Sequence, residues 1–510
     1  MQIANIDPAA QEYLKDIIDK LPAPNSPVDP QGLILNATGY NNETQTLIRI
    51  DHQFSSKLSV FFRYLDDPFH LIVPDGFQAT SLIPGVATST MTDGSTNWLG
   101  HATWVFGPDH ILEGGYSTRS DWVTAHAIGY MNKNNSPDIS VKLPYPNMTQ
   151  QVPQMIINGS NYRVTEPYNE RNPVTQIFVN NTNSIGRHTL KAGINIELQL
   201  GGSNNGISNQ GVFTFAPGTV LKGSTQFSQA FANFLLGNAA TFTQTNIDPA
   251  GTNKTRIYEG YVQDDYHASS RLSLSLGLRY SYYGTPIGGT LPGAYYSPVL
   301  NFDPNSFDQA AAPALTSTGL ICSKAPCANG KAPNPNYNPL NGIIQGGINS
   351  PFGSGASAVN TTNFAPRFGF TYDVYGNGMT ALRGGYGIFY YQVVGNNAKI
   401  PTIQDPPNSV TATISNTSFD NPGNGVPSFS SGPQGLQAFD VSSQLPYAEQ
   451  FSLDLQQQLN RGTVFDIGYY GNHGVHNYAA VDINQPPAGA YAAKGIIPGN
   501  VVTTANTRNI

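Results

Sequence analysis

Leu272-Ser273-Leu274-Ser275-Leu276-Gly277-Leu278-Arg279-Tyr280-Ser281-Tyr282 is the stretch whose reading decides the fold. Side chains of an extended strand alternate between faces, so every leucine and tyrosine here shares one face and every small or polar residue the other. Strands in soluble proteins average about 5–6 residues. Eleven residues of unbroken alternation instead match the roughly 9–11 needed to cross a bilayer at a tilt. One face then meets hydrocarbon and the other a wet or plugged lumen.

The rest of the chain carries the same pattern, in pairs. Ile48, Ile50 and Phe54 lead through Ser55-Ser56 into Leu58, Val60, Phe62 and Tyr64. Trp98, Ala102, Trp104 and Phe106 turn at Gly107-Pro108-Asp109 into Leu112, Gly114 and Tyr116. A third pair joins Val174–Phe178 to Leu190, Ala192, Ile194, Ile196, Leu198 and Leu200, with Lys191, Asn195, Glu197 and Gln199 facing the other way. Tyr258–Tyr266 turns at Ala268-Ser269-Ser270 into the leucine strand, and Phe368, Phe370 and Tyr372 turn at Gly376-Asn377-Gly378 into Leu382, Tyr386 and Ile388. Phe451, Leu453 and Leu455 turn at Asn460-Arg461-Gly462 into Phe465, Ile467 and Tyr469. Such turn residues suit tight antiparallel connections. About a dozen strands emerge, with further candidates at 121–130, 240–247 and 475–483.

Successive hairpins are joined by long connections, 66–96, 131–172, 201–255, 284–364 and 392–447. Short turns on one side and long loops on the other is the asymmetry of outer-membrane barrels, turns periplasmic and loops extracellular. One long loop holds Phe227, Ala230, Phe231, Phe234 and Leu235 at helical spacing before Gly237, which predicts a short amphipathic helix packing the loop down.

Composition agrees. Only 11% of the 510 residues are charged, against about 25% in soluble domains. Gly 52, Pro 38, Tyr 27 and Phe 25 supply the small residues and aromatics that strand curvature and interfacial girdles need. The aromatic content and a net charge of only −7 exclude intrinsic disorder, and that charge is no nucleic-acid footprint. No window reaches 18 apolar residues, so no membrane-spanning helix is predicted. The start, Met1-Gln2-Ile3-Ala4, shows no signal peptide. Cys322 and Cys327, with four residues between them in a Pro- and Gly-rich stretch, are a candidate loop disulfide.

Several segments together resemble a known family. They are Phe234-Leu235-Leu236-Gly237, Gln263-Asp264-Asp265-Tyr266, Gly277-Leu278-Arg279-Tyr280, Asn363-Phe364-Ala365-Pro366-Arg367-Phe368-Gly369 and Arg383-Gly384-Gly385-Tyr386-Gly387-Ile388-Phe389-Tyr390. Gly468-Tyr469-Tyr470-Gly471 and Asp482-Ile483-Asn484-Gln485-Pro486 follow. In this order and spacing they resemble the Oar-like TonB-dependent receptor barrels of acidobacteria, and Arg49-Ile50-Asp51-His52-Gln53-Phe54 looks like a strand of the same barrel. No single motif is specific. The resemblance implies a barrel of about 22 strands, plugged in the lumen, preceded by a signal peptide, a regulatory-like β-sandwich and a plug. This chain begins in barrel-like sequence, shows no plug or TonB box, and ends Thr507-Arg508-Asn509-Ile510 without a recognisable terminal strand. The expectation is therefore an all-β, antiparallel, incomplete barrel domain over 1–510, truncated at both ends. It would reside in the bacterial outer membrane and contact a TonB complex through the missing N-terminal part.

Candidate chemistry reads as structural. Asp264 and Asp265 point to opposite faces, and are read as solvated or bonded to lumen arginines such as Arg279. His473 and His476 have half of a zinc spacing but lack carboxylate or thiolate partners nearby, and read as a loop-exposed pair. Arg383-Gly-Gly-Tyr-Gly lacks the helix and lysine of a phosphate loop. No catalytic residue, cofactor or metal site is predicted. Leu190, Ile194, Ile196, Leu272, Leu274, Leu276, Leu278 and Phe370 are expected to face lipid, and Arg279, Lys191, Glu197 and Arg367 the lumen. The loop aromatics Tyr295, Tyr296, Tyr337, Phe352 and Tyr391 are candidate ligand contacts or loop packing. The functional expectation is TonB-dependent import of a large solute. The alternatives are a non-transporting surface adhesion or envelope protein, and a passive porin.

Overall fold

The computed structural model describes residues 5–28, 33–76, 81–83, 85–164, 167–204, 208–218, 223–248, 251–289, 298–317, 321–392, 401–402, 404–425, 435–442, 444–483 and 489. In chain order its principal elements begin with α1 (Pro8–Asp16), β1 (Tyr40–Glu43), β2 (Thr46–Gln53), β3 (Leu58–Val73), β4 (Ser89–Gly107) and β5 (His110–Ala127). Then come β6 (Gln154–Ile157), β7 (Ser160–Tyr162), β8 (Tyr168–Ile185), β9 (His188–Ser203), β10 (Val212–Phe215), α2 (Gln226–Leu235) and β11 (Asn238–Thr245). These are followed by β12 (Gly251–His267), β13 (Leu272–Tyr283), β14 (Ile287–Gly288), β15 (Leu300–Phe302) and β16 (Ile343–Gln345). The last are β17 (Phe364–Asp373), β18 (Thr380–Tyr390), β19 (Thr411–Ser418), β20 (Tyr447–Asn460) and β21 (Thr463–Val475).

The long strands form one antiparallel meander in the order β1-β3-β4-β5-β8-β9-β12-β13-β17-β18-β20-β21, with β2 beside β3 and β14 beside β12. Each short turn read from the sequence joins two neighbours, so the hairpin register is local. Among the described residues β2 and β21 each pair on one side only, leaving both edges of the sheet open. Two readings change. β3 and β4 stay paired from Leu58↔Trp104 to Val73↔Ser89, so the first loop shrinks to 74–88. Backbone pairing continues there past the point where apolar alternation stops. Residues 476–483 form no strand, and β21 ends at Val475.

Register places all the leucines of β13 on one face with their neighbours. Leu278 pairs with Val262 and Pro366, Leu276 with Asp264 and Phe368, and Leu274 with Tyr266 and Phe370. Further along, Ile194 meets Gly260 and Val179, and Ile196 meets Tyr258 and Ile177. This face stays open to the surroundings: Ile194 is 55% exposed and Leu276 45%, far above what a soluble core would leave. Leu190, Ile196 and Leu278 are likewise exposed, and Leu272, Leu274 and Phe370 half-exposed. Aromatics border the apolar band. Trp104, Tyr266, Tyr372 and Phe465 lie toward the short turns, and Trp98, Tyr116, Tyr258 and Phe364 toward the long loops.

The long loops are not structureless. β6, β7, β10, β11 and β19, drawn from three of them, form a separate five-stranded sheet in the order β19-β11-β10-β6-β7. The candidate strand at 240–247 thus exists, as β11, but belongs to this sheet; the one at 121–130 is the end of β5. Phe213, Phe215, Phe234, Phe242 and Phe419 fill its core, each wholly buried. The helix predicted before Gly237 is α2. It is opened by a reciprocal Thr225–Ser228 capping box and sends Ala230 and Phe234 into that core.

The chain start differs from its reading as barrel sequence. Residues 8–16 form α1, capped by Asp7 and docked on the same core through Ala9, Ala10 and Tyr13. The Tyr13 hydroxyl donates to the Pro153 carbonyl (2.5 Å), and Asp7 N–H to the Leu235 carbonyl (2.9 Å).

Candidate functional site

The face opposite the leucines is polar, and its side chains bond in rows across neighbouring strands. Arg279 grips Glu259 with two nitrogens, at 2.5 and 3.2 Å. Asn195 (3.0 Å) and Ser281 (2.8 Å) also donate to Glu259. The row continues as Gln176 donates to Asn195 (2.8 Å) and Ser117 to Gln176 (3.5 Å), so five strands, β5 to β13, share one hydrogen-bonded belt. A second knot lies nearer the turns: Lys191 pairs with Asp265 at 2.9 Å, and Ser275 (2.6 Å) and Gln263 (3.0 Å) donate to the same carboxylate. In a partly dehydrated wall each ion pair is held because its remaining lone pairs are also satisfied.

The Asp264-Asp265 pair therefore divides. Asp265, read as solvated or bonded to a lumen arginine, bonds Lys191 instead, and Arg279 is held by Glu259. Asp264 lies on the apolar face and bonds His188 Nδ1 at 2.7 Å. The histidine reading is also corrected. A carboxylate does lie by His473, Glu449 at 3.3 Å across the β20–β21 ladder, where only pairing could bring it. His476 instead packs edge-on against Tyr447, so the two histidines engage different partners. The Arg383-Gly-Gly-Tyr-Gly stretch is paired strand in β18.

Beside it the polar wall is hollowed. Gly385 and Gly387 lack side chains, and a depression of about 590 Å³ opens over them between Arg367, Phe389, Gln450, Ser452, Tyr470 and Asn472. The Arg367 guanidinium lies over the Phe389 ring, 4.6 Å from its centre. A flat aromatic, a cation and uncharged hydrogen-bonding groups can together contact a polar solute.

The loop aromatics have separate fates. Tyr295 and Tyr296 lie outside the described residues. Phe352 packs against the Val299, Ile344 and Ala356 cluster, which ties the 284–363 loop together. Tyr337 is half-buried, its N–H donating to the Asn334 carbonyl. Tyr391, 45% exposed, donates to Asn477 (2.9 Å) at the mouth of the wall. Cys322 and Cys327 are bonded, with Cα atoms 5.7 Å apart, in this same loop.

Sequence reasoning missed the loop sheet, though one signal was present. Asn158-Gly159 connects β6 to β7 with φ of 43° and 88°, the two positive values a tight hairpin turn of this kind requires.

A lipid-type exposed face, a polar wall, short turns at one end and folded loops at the other define an outer-membrane β-barrel wall. The chain matches the family described as Outer membrane beta barrel domain over residues 1–510, and it belongs to that family. It is accordingly a protein of the bacterial outer membrane. No curated protein matches it. Among solved structures it is similar to the outer membrane transporter YddB from Escherichia coli, with 9% identity over 84% of this chain and 40% of that one, TM-score 0.46. It is also similar to the ferripyoverdine receptor of the outer membrane of Pseudomonas aeruginosa bound to ferripyoverdine (9%, 86% and 42%, TM-score 0.41). A third is the siderophore receptor PirA from Acinetobacter baumannii (10%, 85% and 43%, TM-score 0.40). This chain spans less than half the length of each.

Proposed function

We propose that this chain is the barrel portion of an Oar-like TonB-dependent receptor that imports a large solute. The observation that carries the reading is the hydrogen-bonded polar wall, with its Arg367–Phe389 depression, running up to a folded loop cap. The cap offers a capture surface and the wall a path. The exposed leucine face, with Leu190, Ile194, Ile196, Leu272, Leu274, Leu276, Leu278 and Phe370, is the one assigned to lipid.

Edges open to hydrocarbon would leave backbone groups unsatisfied. Because β2 runs toward the short turns and β21 away from them, only an even number of added strands closes the sheet. Ten strands added to the path of twelve would give the barrel of about 22 that the resemblance implies. TonB coupling is assigned to sequence outside this chain. The test is uptake of radiolabelled oligosaccharides and ferric chelates by cells carrying the full parent protein, with and without a functional TonB. Uptake of at least one solute that needs TonB is the expected result; solute movement indifferent to TonB refutes it.

A non-transporting surface protein is the second reading. The cap favours it, since α1, α2 and three loops build a buried core of their own and so a rigid outward surface.

A further inference from the structure

The short-turn end carries a charge pattern that transport does not use. Of the six hairpin turns, four bear a cation, Lys57, Arg187, Arg271 and Arg461, and Asp109 is the one acid within them, although the chain as a whole is at −7. Two of these cations bracket a single point on the rim. Arg187, in the β8–β9 turn, donates from Nη1 to the Ala268 carbonyl at 3.1 Å, and its own carbonyl accepts from His267 N–H at 2.8 Å. Arg271 closes that same 268–271 turn and lies over the next one, where a Cβ on Gly376 would come within 2.4 Å of its Nε.

Neither guanidinium takes part in an ion pair among the described residues. Two of the nearby acids have other partners. Asp373 accepts from the Gly376 and Gly378 N–H groups with its two oxygens, and Asp264 is bonded to His188. Asp109 lies one turn further along, its carbonyl accepting from Ser184 N–H.

Directly above, on the apolar face, stand Ile185, 62% exposed, then Tyr266 stacked on His188 at 4.4 Å, then Tyr372. From bottom to top come the cations, then a paired row of Ile185, His188 and Tyr266, then a row in which Leu190 and Leu276 flank Asp264. A phospholipid presents phosphate, glycerol ester and acyl chain in that direction.

We propose that Arg187 and Arg271, with Tyr266 and Tyr372, form a headgroup site for an anionic phospholipid of the leaflet at the short-turn end. The two arginines hold the phosphodiester and its extra charge, while the tyrosines contact the glycerol region.

The probe is spin-labelled phosphatidylglycerol against spin-labelled phosphatidylcholine, with the full parent protein folded into phosphatidylcholine vesicles. The protein prefers phosphatidylglycerol, and salt weakens the preference as surface screening requires. Arg187→Gln with Arg271→Gln lowers the relative affinity by about fivefold per arginine. The double lysine variant retains most of it, and Arg461→Gln, a cation at the sheet edge, changes it little. Equal affinity for the two lipids in the unaltered protein at low salt overturns the proposal without recourse to any variant. So does a preference that survives the double glutamine change.

Discussion

Replacing Leu278 by arginine puts a cation in the middle of the apolar face. Its cross-strand neighbours are Val262 and Pro366, and neither can pair with it. On a lipid-facing position near the midplane the cost is about 2–4 kcal/mol, roughly 30- to 900-fold in the folded-to-unfolded ratio. Leu276→Arg places the same cation two residues away on the same face, yet the structure makes it the gentler of the two. Asp264 stands opposite Leu276, and its Oδ1 has no hydrogen-bond partner. An arginine at 276 can bond that oxygen and recover about 1.5–3 kcal/mol. Ser275→Arg, on the polar face beside Asp265, should cost least. The assay is urea titration of the vesicle-inserted parent protein, followed by tryptophan fluorescence and by gel mobility without boiling. The expected order of destabilisation is Leu278→Arg, then Leu276→Arg, then Ser275→Arg. Equal costs at 278 and 275 would refute the assignment of faces, and equal costs at 278 and 276 would refute the register.

Phe419→Ala should loosen the cap by about 3–5 kcal/mol, because that ring meets Tyr13, Phe213, Phe215 and Phe234. Limited proteolysis should then cut within 128–167 and 204–250 while the strands of the wall stay protected from hydrogen exchange. Arg279→Ala strands the Glu259 carboxylate and should destabilise the wall by about 1–3 kcal/mol, whereas Arg279→Ala with Glu259→Gln recovers much of that loss in a double-mutant cycle. Cys322→Ser with Cys327→Ser should leave the urea midpoint of the barrel unchanged and speed cleavage within 284–363, since the bond closes only that loop.

In the cap, burial pushes Asp405 up to about 7, against one backbone bond from Gln437 that favours the anion. The folded state therefore holds this proton to higher pH than the unfolded chain. Cap stability falls as pH rises from about 4 to 7 and levels off above. Asp405→Asn should flatten that slope in thermal melts of the loop signal.

The barrel wall could be read from the chain because its rule is local. A two-residue period and a turn of two to six residues fix which face each side chain takes and which strand is its neighbour, before any distant contact forms. Leu272 to Tyr282 needed nothing else. The helix at 226–235 was legible for the same reason, its apolar residues recurring within one segment.

The tertiary structure alone decided the cap. β6, β7 and β10 are three or four residues each, too short to show a period, and β6 pairs parallel with β10 across 58 positions of sequence from Gln154 to Val212. The chain start reads as barrel-like sequence, and only the fold shows it as α1, held where Tyr13 meets Phe419, more than four hundred residues on. It also decided the partners of charged groups. Arg279 takes Glu259, Lys191 takes Asp265 and His473 takes Glu449 because strand register brings them opposite one another. Alternation says which face a side chain occupies, but only the paired backbone says what stands beside it.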